Sequence, residues 1–125
     1  ADDYLWSIAG CYEKLSDFKK AIAIYRQTDR FPANHFAMAA CHRKLGEQPE
    51  AIVLYTQCKV SDASAPEATL QIAFTHEEAK EKEKAIRSFQ LTCKRYPKSP
   101  QASKAHIHLK NQYNIHITLG GYEQE

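Results

Sequence analysis

Ala9-Gly10-Cys11-Tyr12-Glu13-Lys14-Leu15-Ser16-Asp17-Phe18-Lys19-Lys20-Ala21-Ile22-Ala23-Ile24-Tyr25 is the stretch on which the fold turns, because its frame returns twice. Ala39, Ala51 and Tyr55 repeat the places of Ala9, Ala21 and Tyr25, and Ala73, Ala85 and Phe89 repeat them again. Each time twelve residues separate the alanines and four separate the second alanine from the ring. Four residues bring two side chains onto one face of a helix, and twelve let one helix end, a tight turn pass and a second begin. Small residues at both alanine sites allow two helices to approach closely, while the ring fills the next layer. The predicted unit is an antiparallel helix pair stacked on copies of itself.

Working outward, the first copy reads Leu5, Ile8, Ala9, Tyr12, Ala21, Tyr25, Pro32. The second reads His35, Met38, Ala39, His42, Ala51, Tyr55 with its proline displaced to Pro66, and the third reads Thr69, Ile72, Ala73, His76, Ala85, Phe89, Pro97. This order of large, small, aromatic, small, aromatic and proline resembles the tetratricopeptide repeat. Leu15-Ser16-Asp17-Phe18 and Leu45-Gly46-Glu47-Gln48 stand where that family places its Leu-Gly-Asp-Tyr corner. Ala51 and Ala85 lie 34 residues apart, the family period, but Ala21 and Ala51 only 30, which reads as one helical turn missing. The resemblance implies an all-α, right-handed α-solenoid of three helix pairs plus a C-terminal capping helix. Its domain would span 1–113, with repeats at about 2–31, 32–65 and 66–99, a cap at 100–113 and an extended or disordered tail at 114–125. The turn Tyr96-Pro97-Lys98-Ser99-Pro100-Gln101-Ala102 resembles that of bacterial cell-envelope members, including the periplasmic Tol-Pal-associated protein and the lipoprotein of the outer-membrane assembly machine.

Composition narrows the function. A length of 125 residues with 43% hydrophobic content suffices for one core. The net charge of +2 comes from interleaved acidic and basic residues, so the footprint of a nucleic-acid binder is missing. No apolar run approaches a membrane span, and Ala1-Asp2-Asp3 lacks the basic and apolar regions of a signal peptide. The first methionine is Met38, and the chain reads as a processed or excised portion of a longer protein. Its compartment is therefore not legible: the resemblance favours a bacterial periplasm or envelope, with the cytoplasm the other possibility.

Helices are expected at about 3–15, 18–29, 33–45, 48–59, 66–79 and 83–95. Pro32, Pro49, Pro66 and Pro100 fit first turns, where a missing amide has no intrahelical partner to lose. Gly46 suits a left-handed helix end, and Ser99 an N-cap for a last helix that buries Ala102, Ala105, Leu109 and Tyr113. Beyond it, Ile115, Ile117 and Leu119 alternate with His116 and Thr118, a period of an extended segment that either frays or lies on a neighbouring surface.

Cys11, Cys41, Cys58 and Cys93 show neither redox nor zinc spacing and read as small core residues rather than disulfide partners. Among six histidines, His106 and His108 point about 200° apart on a helix, and no third ligand joins His35 and His42. No metal or cofactor is expected. Glycine-rich cradles, Gly-x-Ser-x-Gly and His-Glu-x-x-His are absent, and an open repeat surface lacks the enclosed pocket that chemistry needs, so no catalytic residue is assigned.

In the resembled family the first helix of each pair lines a concave groove. That correspondence assigns Trp6, Lys14, Phe36, Arg43, Lys44, Leu70, Phe74, Glu77 and Glu78 to a partner-binding wall. An apolar stripe of Trp6, Phe36, Leu70 and Phe74 would be flanked by a basic sector (Lys14, Arg43, Lys44) and an acidic one (Glu77, Glu78), the composition of binding hot spots. Two readings of the stripe are open: a seat for a helical or extended peptide, or rings that simply pack within the repeat. The family's carboxylate clamp needs asparagines where this chain has Gly10 and Ala40, which argues against that mode. The functional expectation is a non-catalytic protein-interaction scaffold, with self-association in a longer solenoid as the alternative.

Overall fold

A computed structural model describes residues 2–117. Ala1 and residues 118–125, with Gly120-Gly121 and most of the expected tail, lie outside the described residues. Among the described residues there are seven α-helices and no strands: α1 (Asp3–Lys14), α2 (Phe18–Arg26), α3 (Ala33–Lys44), α4 (Gln48–Cys58), α5 (Ala65–Glu78), α6 (Lys82–Arg95) and α7 (Pro100–Tyr113). The fold class is all-α, built of helix pairs. The chain divides into two compact units, 1–61 with α1 to α4 and 62–125 with α5 to α7.

The helix pairs close through one recurring turn. Ser16, Gly46 and Lys80 occupy the same place after α1, α3 and α5, and all three have positive φ, at 59°, 75° and 63°. The residue after each donates its amide back to the carbonyl five positions earlier: Asp17 to Tyr12 at 2.9 Å, Glu47 to His42 at 2.8 Å and Glu81 to His76 at 2.9 Å. Together with the tighter bond from each left-handed residue to the carbonyl three before it, this is the Schellman ending that satisfies the last carbonyls of a helix. Only Gly46 was legible as such a residue from its type.

The four-residue shortfall between the first and second copies is not one lost turn. The connections 27–32 and 59–64 are equally long, but α2 has 9 residues against 11 in α4, and α3 has 12 against 14 in α5. Half a turn is therefore missing from each of two helices. Arg26 ends α2 three residues before the expected boundary, and Thr28 marks the stop by donating its hydroxyl to the Tyr25 carbonyl at 2.6 Å. Pro49, Pro66 and Pro100 lie in first turns as their missing amides require, whereas Pro32 stands one residue ahead of α3 at its N-cap.

In the first unit Ala9 and Ala21 are fully buried where α1 meets α2, and the cluster continues through Ile22 and Tyr25 to Met38 and Cys41 of α3. In the second, Ala73, Ala85, Phe89 and Cys93 form the joint of α5 with α6, and Ala105 and Leu109 of α7 close over it. Ser99 caps α7 by accepting the Ala102 amide at 3.1 Å. After left-handed Asn114, Ile115 packs against this core and Ile117 is buried within it, 1% exposed.

Candidate functional site

The expected binding residues are best followed pair by pair, because one repeat position serves the same purpose in each. In the first unit Trp6 of α1 meets Tyr25 of α2 edge-on with centroids 4.8 Å apart, and Phe36 of α3 meets Tyr55 of α4 at 5.8 Å. Both outer rings are half-buried, so each spends one face on its own pair and keeps part of its surface. Arg30 lies over Trp6 at 5.1 Å from the ring, held there by Asp2, whose Oδ1 sits 3.0 Å from Arg30 Nε, and by Asp3. Lys14 and Lys44, which end α1 and α3, are exposed. Arg43 donates to the Tyr55 hydroxyl at 3.2 Å.

That last contact has a counterpart in the first pair. Glu13 stands thirty residues before Arg43 and accepts the Tyr25 hydroxyl. Burial first, and Glu13 second, push the Tyr25 phenol well above its ordinary range. The same position is thus acidic in one pair and basic in the next, in each case tethered to the buried tyrosine beneath it.

In the second unit the third pair has Phe89 where the others have tyrosine, so its acid finds no hydroxyl there. Glu77 instead reaches α7, where His108 Nε2 lies 2.7 Å from Glu77 Oε2 and Tyr113 donates its hydroxyl to the same oxygen. Phe74 is edge-on to Phe89 at 5.0 Å and to His108 at 5.0 Å, and it is half-buried, as Trp6 and Phe36 are. Leu70, expected on the open wall, is 1% exposed and belongs to the core cluster. Leu70 shares that cluster with Ala105 and Leu109 of α7 and with Ile117, and Phe74, where the earlier pairs carry only Gly10 and Ala40, packs against it. Glu78 is exposed on the last turn of α5.

Two histidines that stand where the first pair has Tyr12 are used by the turns. His42 Nδ1 lies 2.8 Å from Glu47 Oε1, and His76 Nδ1 lies 2.9 Å from Glu81 Oε1. Bound to neighbouring carboxylates, they brace the Schellman endings just described. Among the described residues no group of three or more His, Cys, Asp or Glu is placed to hold a metal ion, and no helix is long and apolar enough to cross a membrane. The four cysteines are free thiols, with Cys11 exposed and the others buried.

Sequence reasoning by residue type missed the Glu77, His108 and Tyr113 junction and the Arg30 cover on Trp6. The first was findable from the repeat frame, since the tyrosine hydroxyl that serves Glu13 and Arg43 is absent in Phe89. The second depends on Asp2 holding Arg30 across a 28-residue separation that no local pattern carries.

Residues 67–99, which cover nearly all of α5 and α6 and the turn that follows, match the tetratricopeptide repeat family. No curated protein sequence matches the chain. Among solved structures, that of PcrH in complex with the chaperone binding region of PopB shares its fold, with a TM-score of 0.64 and 18% identity over 83% of this chain and 90% of that one. Residues 67–99 are accordingly a tetratricopeptide repeat, set in a chain whose fold is that of a helical-repeat protein.

Proposed function

We propose that this protein is a non-catalytic interaction scaffold that takes a helical or extended peptide of a partner protein on the first helices of its pairs. The observation that carries this reading is the shared fold with PcrH, which is seen holding the chaperone binding region of PopB. Partly open rings on the first unit, Trp6 and Phe36, with Lys14, Arg43 and Lys44 nearby in sequence, give such a peptide apolar and basic anchors. On the second unit the corresponding proposal falls on Phe74, Glu77 and Glu78 rather than on buried Leu70. A bacterial cell-envelope setting is part of the proposal and rests on the Tyr96 to Ala102 turn alone.

Trp6 is the one tryptophan of the chain, which makes the test direct. Peptides selected by display against the purified protein should alter Trp6 emission on binding, and Phe36→Ala should weaken them about tenfold or more while the melting temperature falls only modestly. Selected peptides that bind without touching Trp6 emission, and equally well to the Phe36→Ala and Lys44→Glu variants, would overturn this assignment.

A further inference from the structure

Tyr25 serves two residues of α1 at once. Its ring meets Trp6 edge-on at 4.8 Å, and its hydroxyl is donated to Glu13, which shares a helix face with Trp6. Between the two stands Gly10, and nothing lies within 4 Å of where its β-carbon would sit. Ring, bare backbone and carboxylate thus follow one another down the helix, with the buried tyrosine fixing both ends of the row.

Phe36, Ala40 and Arg43 repeat the row on α3, over Tyr55. A complete helix pair precedes α3, and there Ala40 is exposed while Phe36 and Arg43 are half-buried, as Trp6 and Glu13 are. The row is therefore open because of its place in the repeat, with or without a pair ahead of it.

Glu13 is the member whose charge is unmet. Its Oε2 accepts from a neutral phenol, and no lysine, arginine or histidine among the described residues forms an ion pair with it, Lys14 beside it included. Arg30, which covers Trp6 at 5.1 Å, is paired with Asp2 and Asp3 instead. A half-buried carboxylate held in place by a neutral donor keeps an oxygen and its negative charge for a cation from outside.

We propose that Trp6, Gly10 and Glu13 form a binding site for one lysine or arginine of the partner peptide, whose aliphatic stem crosses Gly10 beside the Trp6 ring while its cationic head meets Glu13. The site depends on the first-helix rings being the peptide's seat, as proposed above. A basic side chain is turned away at the same place on α3, where Arg43 and Lys44 are both positive, so this one residue fixes the peptide's register on the first unit.

The probes are peptides selected by display against the intact protein and sorted by whether Phe36→Ala weakens them, which identifies those seated on the rings. Each such peptide should contain a lysine or arginine whose exchange for norleucine or citrulline weakens binding about tenfold to the parent and less than about twofold to Glu13→Gln. Glu13→Gln keeps an acceptor for the Tyr25 hydroxyl, and Glu13→Arg reproduces the contact that Arg43 makes with Tyr55, so both should melt near the parent. Glu13→Arg should reject the basic peptide by at least about tenfold and take a version with glutamate in place of the base more tightly than the parent does.

Phe36-sensitive peptides that bind the parent, Glu13→Gln and Glu13→Arg alike would overturn the proposal and leave the scaffold role standing. A library that yields no Phe36-sensitive peptide would overturn both. Light scattering that finds a dimer split by Glu13→Gln would overturn it too, since the base would then come from a second copy. Should either variant melt early, the norleucine or citrulline exchange measured on the parent decides, and unchanged binding there sinks the site.

Discussion

His108 Nε2 lies 2.7 Å from Glu77 Oε2, a contact that ties α7 back to the last turn of α5. The bond is partly withdrawn from water, with the two side chains 23% and 24% exposed, and the same carboxylate oxygen also receives the Tyr113 hydroxyl. A carboxylate with two such donors is worth more than an exposed ion pair. Glu77→Ala strands both partners and should cost about 1–3 kcal/mol in urea denaturation. His108→Phe, which keeps the ring among Phe74 and Phe89, should cost less than His108→Ala.

The same junction sets an alkaline limit. Burial, and then the Glu77 carboxylate, push the Tyr113 phenol up to about 12 from an ordinary value near 10. A raised folded value means that the contribution is complete below the unfolded value and fades as pH rises through the folded one. Stability should therefore decline between about pH 10 and 12, where the raised Tyr25 phenol and the buried thiols act in the same direction, and Tyr113→Phe should make that part of the profile less steep in chemical denaturation.

Thiol chemistry separates one cysteine from three. Cys11 is exposed, while burial pushes the Cys41 thiol up to about 12, with help from Glu13, and the Cys58 thiol up to about 11, and raises Cys93 as well. The thiolate is the reactive form, so buried thiols with raised values are inert in the native state. A thiol reagent at pH 8 should titrate one cysteine in the folded protein and four in guanidinium. Cys11→Ser should leave none reactive before unfolding.

Most of the helix plan was legible because alanine and aromatic positions repeat at helical offsets, and Ala9, Ala21, Ala39, Ala51, Ala73 and Ala85 are all fully buried. Helix ends were less so. The stop at Arg26 is set by a threonine bonding back to its own turn, and the left-handed residues Ser16 and Lys80 have side chains that favour no such geometry. Site residues split by what packs over them. Trp6 and Phe36 stay partly open, whereas Leu70 at the same repeat position lies in a core shared with Ala105 and Leu109 of α7 and with Ile117.

Those left-handed positions make a prediction about backbone rather than contacts. A residue with a β-carbon pays about 1–2 kcal/mol in the left-handed region, and glycine gives back roughly half of the advantage as entropy of the unfolded chain. Lys80→Gly and Ser16→Gly should each raise stability by about 0.5–1 kcal/mol. Gly46→Ala should lower it by a similar amount, and since nothing lies within 4 Å of where its β-carbon would sit, that loss would be conformational. Equilibrium urea curves of the three variants, compared at constant slope, measure the effect.

Acid should release the start of α1. Asp2 accepts the Asp29 amide at 2.7 Å and pairs with Arg30, and these partners, the amide first, hold its carboxyl below the usual range. A lowered folded value contributes above the unfolded one and is lost as pH falls through the folded one. Asp2→Asn removes the acceptor charge, so the variant should melt below the parent at pH 7. The gap should close progressively below about pH 4 as the parent's carboxyl takes up its proton. Asp2 and Asp3 both hold Arg30 beside Trp6, so Trp6 emission should shift over the same acidic range in the parent and shift less in Asp2→Asn, where Asp3 alone keeps its charge on Arg30. Equal melting temperatures at neutral pH would show that the latch contributes nothing and that α1 is held by its joint with α2 alone.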